Sequence, residues 1–187
     1  EISGTQDCSC PVVGELSGTQ EICNEFPLPV VTLTLDLSGA VSYNAVITDP
    51  DGVDFTIPSA SLINGENIIT IPTEHIKQGT YTLKRVSENG GNNCLGRVFS
   101  TASVVINELP SANLTGSHLV CIGSSGDLTL EIMGGTGPYD FTYNTPSTTG
   151  VAISDVARIH TFSVSEVGDY TLATVTDDKG CAATSLA

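Results

Sequence analysis

Three aspartates surround a Pro-Asp-Gly turn in the stretch Thr-Asp-Pro-Asp-Gly-Val-Asp, where Asp49, Asp51 and Asp54 alternate with other residues. Calcium binds several oxygen ligands, and alternating carboxylates around a glycine can supply them. The stretch lacks the glutamate at the twelfth position of an EF-hand loop. Two interpretations follow: a calcium site formed by the three aspartates, and a hairpin turn in which they bond to the backbone. The turn is preferred.

Other residue types that could do chemistry do not cluster along the chain. His75, His118 and His160 have no spacing that would place them on one metal ion. The glycine-rich stretch Ile122–Asp127 lacks the order of a nucleophile elbow. Gly134–Gly137 precedes no helix that could hold a phosphate. We therefore predict that the chain is not an enzyme and has no cofactor apart from the calcium considered above.

The chain has six cysteines and no pair of Cys-X-X-Cys knuckles. This pattern favours structural disulfides formed in an oxidising compartment over a zinc site. We therefore expect a secreted or cell-surface protein.

A repeat organises the chain. Leu16–Cys23 (LSGTQEIC) resembles Leu114–Cys121 (LTGSHLVC), and Gly79–Leu83 (GTYTL) resembles Gly168–Leu172 (GDYTL). Ordered anchors of this kind indicate two copies of one structural unit.

A third anchor of the repeat is a cysteine in a polar turn after each Tyr-containing strand, Cys94 in the first copy and Cys181 in the second. Because matching cysteines occupy matching anchors, we predict the disulfides Cys23–Cys94 and Cys121–Cys181. Cys8 and Cys10 have no assigned partner, and a ring closed between them would be short and strained. A partner outside this chain is one interpretation for one of them.

Between the anchors the sequence alternates apolar and polar residues and is rich in Val, Ile, Leu and Thr, as in Val30–Gly39 and Ala40–Gly52. Turn signals recur every ~8–12 residues, which is typical of a β-sandwich. Thr73–Gly79 predicts a single helical turn. The fold class predicted is all-β, with two tandem sandwiches.

The net charge of −15 arises from 21 acidic and six basic residues. Such a chain lacks the basic surface that nucleic acids and anionic membranes require. No apolar run approaches the roughly 20 residues that span a bilayer, and Glu1 does not begin a signal peptide. We therefore expect neither nucleic-acid binding nor membrane insertion.

Tyr81 and Tyr170, each after a glycine at the start of a late strand, resemble the tyrosine corner of immunoglobulin-like domains. The chain has no Trp, and Cys94 and Cys181 lie far beyond these tyrosines rather than two residues after them. With the stretches SGTQEIC and GGTGPYDFTY, the sequence resembles PKD-like or immunoglobulin-like repeats of large Bacteroidota surface proteins, including gliding-type adhesins.

The resemblance implies export to the cell surface by type IX secretion and a role in adhesins, stalks or filaments. The expected partners are neighbouring repeats, further copies in a homo-oligomer or fibre, and a cell-surface glycan or protein. The alternatives are a carbohydrate-binding module assisted by calcium, and an accessory domain of a secreted hydrolase.

The predicted domains are residues 11–109 and 110–187, with residues 1–10 as the tail of a preceding repeat or an N-terminal extension. The last strand of the first copy, near Ala102–Asn107, has no counterpart in the second. Truncation, a shortened sheet, and a strand donated by a neighbouring subunit, with residues 1–10 as the donor, are the alternatives. Truncation is preferred.

Overall fold

The computed structural model describes residues 10–89, 95–116, 121 and 123–187. The chain forms two compact units. Unit 1 consists of Glu1–Ile22 and Leu28–Ile106, and unit 2 consists of Cys23–Pro27 and Asn107–Ala187. The predicted boundary at residue 109 misses the short segment Cys23–Pro27, which belongs to unit 2 although it lies early in the sequence.

The structure is almost entirely β-sheet. Within the described residues, unit 1 contains nine strands: β1 Val13–Ser17, β2 Thr19–Cys23, β3 Thr32–Ser38, β4 Tyr43–Thr48, β5 Asp54–Ile57, β6 Gly65–Thr70, β7 Gly79–Glu88, β8 Arg97–Phe99 and β9 Thr101–Asn107, where the last residues of β2 and β9 belong to unit 2. The described part of unit 2 contains six: β10 Ser111–Thr115, β11 Gly126–Met133, β12 Tyr139–Asn144, β13 Val151–Val156, β14 Ile159–Val164 and β15 Thr171–Asp177. The predicted helical turn is a 3₁₀ turn at Thr73–His75.

Unit 1 is a sandwich of two sheets, with strand orders β6-β3-β1-β8 and β2-β9-β7-β4-β5. Alternation explains which faces meet. In β3, Leu33, Leu35 and Leu37 are buried, and the residues between them are exposed or half-buried. Because successive side chains of a strand point to opposite faces, one face of each sheet forms the core.

Unit 2 has the same plan with fewer strands, in sheets ordered β10-β11-β14 and β13-β12-β15. Its core contains Leu130, Ile132, Tyr139, Phe141 and Val175. Strands β10 to β15 follow one another in space as β1, β3, β4, β5, β6 and β7 do in unit 1. The fold is thus two tandem immunoglobulin-like β-sandwiches, as predicted.

The backbone repeat extends to an irregularity in one strand pair. The β4–β7 register shifts between Val46 and Ile47, and the β12–β15 register shifts between Thr142 and Tyr143. The extra residue is Lys84 in unit 1 and Ala173 in unit 2. A bulge at the same place in both copies shows that the two sheets bend alike.

Four tyrosine hydroxyls bind the loops at the ends of the sandwiches. The hydroxyl of Tyr81 accepts a hydrogen bond from the backbone N–H of Lys77 at 2.8 Å and lies 2.6 Å from the carbonyl oxygen of His75, to which it donates. The hydroxyl of Tyr170 donates to the carbonyl of Glu166 at 2.9 Å. Both tyrosine corners predicted from the sequence are therefore confirmed.

Tyr43 and Tyr139, at the starts of β4 and β12, form a second pair that the sequence analysis missed. Both are buried, and their hydroxyls donate to loop oxygens, on Asn64 or Ala40 for Tyr43 and on Gly134 for Tyr139. Their shared position before an alternating strand in each copy was the signal that could have revealed them.

The buried corner should matter more than the exposed one. We expect Tyr81→Phe to lower the free energy of unfolding of unit 1 by about 1–3 kcal/mol, because it leaves the Lys77 N–H and the His75 carbonyl without their buried partner. The matched change Tyr170→Phe removes a hydrogen bond in a more exposed place and should cost less. Urea unfolding followed by circular dichroism compares the two; an equal loss for both variants would contradict the ranking.

Candidate functional site

Asp49 follows β4 and begins the turn to β5, and it is 4 % exposed. Its Oδ1 accepts hydrogen bonds from the backbone N–H groups of Asp51 and Val53, at 3.0 and 2.9 Å. Its Oδ2 lies 2.9 Å from Nδ1 of His75. The hydrogen bond from His75, together with the two backbone bonds, lowers the pKa of Asp49 below its ordinary value despite the burial. This carboxylate is therefore fully engaged within unit 1.

The two other aspartates of the turn face different partners. Asp51 pairs with Nζ of Lys77 at 2.9 Å. Asp54 pairs with Lys84 and accepts a hydrogen bond from the hydroxyl of Thr48, and these contacts lower the pKa of Asp54. The three carboxylates do not converge, and the described residues contain no group of three His, Cys, Asp or Glu side chains arranged to hold a metal. The geometry gives the predicted calcium site no support.

Unit 2 makes the matching turn after β12 with a threonine in the place of Asp49. Thr145, the residue after β12, accepts hydrogen bonds through its hydroxyl from the backbone N–H groups of Ser147 and Thr148, at 3.3 and 3.0 Å. The carboxylate of Glu166 accepts hydrogen bonds from Thr145 and Ser147. Glu166 precedes Tyr170 by four residues, as Lys77 precedes Tyr81. The same two loops are joined in each unit, by an ion pair in one and by hydroxyl hydrogen bonds in the other, which identifies the turn as structural.

His75 is held on two sides. Its ring stacks on Phe55, with centroids 4.5 Å apart, and its Nδ1 faces Asp49. An Asp–His pair orients a general base in hydrolases, where the second ring nitrogen must face a nucleophile. Among the described residues, no hydroxyl or thiol hydrogen bonds to that nitrogen of His75. The pair thus ties the turn Thr73–His75 to the β4–β5 turn.

Of the other two histidines, the structure describes His160. His160 lies in an aromatic group of unit 2, with its ring centroid 5.9 Å from that of Phe141 and 6.0 Å from that of Phe162. His118 lies outside the described residues.

The predicted disulfides are wrong. Cys23 is bonded to Cys181, with Cα atoms 5.5 Å apart, and Cys121 is an exposed free thiol. Cys94 lies outside the described residues, and Cys10 is itself disulfide-bonded. The prediction assumed that each repeat closes on its own cysteines. The segment that begins at Cys23 instead belongs to unit 2, where the N–H of Asn24 donates to the carbonyl of Asn107 at 2.9 Å.

The edge of unit 2 at β15 differs from the matching side of β7 in unit 1. In unit 1, β9 lies beside β7 and pairs Ala102 with Tyr81. In unit 2, β12 is the strand neighbour of β15 within the described part of the chain. Tyr81 and Leu83 are buried, whereas the matching Tyr170 and Leu172 are only half-buried. The expectation that the second copy lacks its last strand stays a prediction.

A shallow pocket of about 320 Å³ lies in unit 2 beside Tyr139, over whose ring the Arg158 guanidinium lies at 5.9 Å. Arg158 also donates a hydrogen bond to the Gly135 carbonyl at 3.2 Å. Arg158, the basic residue in the pocket lining, is therefore already in contact with the Tyr139 ring and the Gly135 carbonyl. The lining residues are Gly137, Pro138, Tyr139, Asp155, Val156, Ala157 and Arg158.

No protein-family model and no curated protein matches the chain. Among solved structures it is similar to the N-terminal eight Ig domains of Down Syndrome Cell Adhesion Molecule, with a TM-score of 0.51 and 16% identity over 93% of this chain and 26% of that one. This chain thus spans about a quarter of that structure. The likeness supports the immunoglobulin-like fold and nothing beyond the fold.

Two weaker matches are the human OSCAR ligand-binding domain and the BSP domain of a biofilm-associated protein. The first has a TM-score of 0.34 and 13% identity over 82% of this chain and 85% of that one. The second has a TM-score of 0.31 and 17% identity over 94% of this chain and 28% of that one.

Within the described residues, no helix has the length and apolar character needed to cross a bilayer.

The Asp49–His75 contact should make stability depend on acidity. A carboxylate whose pKa is lowered by folding stabilises the folded state above its ordinary pKa near 4, and this stabilisation is lost as pH falls through the lowered value. We therefore expect Asp49→Asn to destabilise unit 1 at pH 6 and the difference from wild type to shrink by pH 3. Asp51→Asn, which breaks an exposed pair, should change little at either pH. Urea unfolding at the two pH values measures this, and parallel pH profiles for wild type and Asp49→Asn would contradict it.

The three cysteines should differ in reactivity. Cys121 is exposed, whereas Cys181 is fully buried in its disulfide. We expect a maleimide to label Cys121 in the native chain and Cys23 and Cys181 only after unfolding in reductant. Peptide mapping by mass spectrometry reads the labels, with Cys121→Ser as the control. A peptide joining Cys23 to Cys94 would refute the observed connectivity.

Proposed function

We propose that this chain is a structural repeat segment of an extracellular adhesin, stalk or filament, which extends and displays a surface protein for attachment. The observation that carries the proposal is the repetition itself. Two sandwiches share strand order, bulge position and tyrosine corners, while their side-chain chemistry at equivalent loops differs. An extended scaffold needs the same backbone in each repeat, and it does not need the same reactive side chains in each repeat.

The described polar clusters support this proposal because each has a structural partner. Asp49, His75 and Lys77 connect loops of unit 1, and Asp177 binds three backbone N–H groups of unit 2. The disulfide and the strong net negative charge suit an oxidising, extracellular setting. Export by type IX secretion remains part of the proposal through the sequence resemblance alone.

Association with a neighbouring repeat, or with a further copy in a fibre, is proposed at the part of the β15 edge that precedes Val175, since beyond it Thr176 is bridged to Ala182 and the Val175 carbonyl accepts from the N–H of Ala183. Unpaired backbone groups of an edge strand can accept another strand. The half-buried Tyr170 and Leu172 lie along this edge. The proposed donor, residues 1–10, lies almost entirely outside the described residues.

A carbohydrate-binding module is the second candidate, and one observation favours it. Phe26 is fully exposed in the segment between β2 and β3, and sugar-binding sites commonly use exposed aromatic rings. A glycan array probed with the intact chain and with Phe26→Ala separates the candidates. Binding that Phe26→Ala abolishes would support the module, whereas the scaffold proposal predicts no binding by either chain.

The extending role can be tested by replacing this chain with a flexible linker. A binding domain should be displayed on cells either through this chain or through a Gly/Ser linker with the same number of residues. We expect more cells to be captured under shear flow with the folded chain, because a flexible linker recoils to an end-to-end distance that grows only as the square root of its length. Equal capture with both connectors would contradict an extending role.

A further inference from the structure

The Cys23–Cys181 disulfide joins residues separated by 158 positions in the sequence. The chain enters unit 2 at Cys23, leaves it after Pro27 to build β3 to β9, and returns at Asn107. The bond therefore encloses most of unit 1 and most of unit 2 in one covalent loop. Its two ends have Cα atoms 5.5 Å apart.

We propose that this disulfide is a length-limiting staple that carries tension past unit 2 and past β3 to β9 of unit 1, while β1 and β2 stay in the path of the force. Tension along the main chain reaches Cys23, crosses the sulfur–sulfur bond and leaves through Cys181. Residues 24–180 then lie outside the path of the force. This inference goes beyond the scaffold function, since a scaffold could equally extend by unfolding.

Both ends of the staple are anchored inside unit 2. The backbone N–H of Cys181 donates to Oδ1 of Asp177 at 2.8 Å, and its carbonyl accepts from the N–H of Asp177 at 3.1 Å. Asp177, which is buried, also accepts a hydrogen bond from the N–H of Thr136 through its Oδ2 at 2.8 Å. On the other side, the N–H of Asn24 bonds to Asn107. These contacts fix the backbone on each side of the bond within unit 2.

The burial of Cys181 protects the bond from exchange. Thiol–disulfide exchange requires in-line access to a sulfur atom. Cys181 is fully buried, and Cys23 is half-buried at the end of β2. The staple should therefore withstand mild reductant while unit 2 remains folded, and it should open once the unit unfolds.

Chain geometry gives the contour length of the segment that the disulfide keeps from extending. A fully extended chain spans at most ~3.3–3.6 Å per residue, so the enclosed segment corresponds to about 550 Å of contour. Only the segments outside the loop, residues 1–23 and 181–187, can extend while the bond is intact, by about 100 Å in total.

Single-molecule force spectroscopy tests the staple, with handles fused before Glu1 and after Ala187. The chain should carry Cys10→Ser, because Cys10 is also disulfide-bonded and its bond would otherwise affect the measured length. We expect the oxidised chain to gain no more than about 100 Å. The same chain after reduction, and its Cys23→Ser/Cys181→Ser derivative, should gain about 550 Å more. Cys121→Ser should behave as the oxidised parent.

A further measurement keeps the outcome decisive if the cysteine variant fails to fold. An unfolded variant would extend without a force peak, yet still over the full contour. Handles placed inside the loop, at the exposed positions Ile63 and Thr149, should release about 250 Å in the oxidised chain, because the shorter arc of the loop, which runs through the disulfide, limits the extension; this release would show that the units themselves yield to force. A gain of several hundred Å by the oxidised chain with outer handles would overturn the proposal, as would equal lengths in both redox states. Neither result bears on whether the chain extends a surface protein.

Discussion

The buried tyrosine hydroxyls are the interaction on which the rest of each sandwich depends. A hydroxyl in an apolar core is costly unless it is hydrogen-bonded. Tyr81 meets this requirement by bonding to the turn at Thr73–His75 and to Lys77. Burial raises the pKa of Tyr81 above its ordinary value, in the direction that favours the protonated phenol. The loop position is thereby fixed by a core residue rather than by the loop's own sequence.

The hydrogen bonds of Tyr81 also determine which side chains meet at the surface of unit 1. Since Tyr81 holds the carbonyl of His75, the imidazole is placed against Asp49, and Asp49 in turn fixes the N–H groups of the β4–β5 turn. One continuous network therefore joins β7, the 3₁₀ turn and the β4–β5 connection. Unit 2 achieves the same connection through Tyr170, Glu166 and Thr145. The backbone arrangement is common to both units, and the side chains that maintain it are interchangeable.

Much of the fold could be predicted because its signals are local. Alternation along β3 and β4, the turn at Pro50–Gly52 and the glycine before Tyr81 each depend on neighbouring residues in the sequence. The tyrosine corner could be recognised for the same reason. The domain boundary near residue 109 was close to Asn107, but no local pattern marks Cys23–Pro27 as part of the other unit.

The disulfide and the side-chain partners of the aspartates could not be predicted because they depend on distant residues, although the turn itself is the interpretation that the sequence favours. Matching cysteines in a repeat suggest equal pairing, but Cys23 contacts the turn after β15 of the other copy. Alternating aspartates look alike whether they bind calcium or backbone N–H groups. What distinguishes these cases is the position of His75, Lys77 and Lys84.

The bulge in β7 shows how a repeated backbone can still diversify its surface. An extra residue in one strand increases local twist and turns its side chain away from the ladder. In unit 1 this residue is Lys84, which pairs with Asp54 across the sheet surface; in unit 2 it is Ala173, which can form no ion pair. The bulge is therefore not retained for the ion pair. It recurs three residues after Tyr81 and three residues after Tyr170, so the two units share the backbone path around their tyrosine corners while the exposed side chains on it differ.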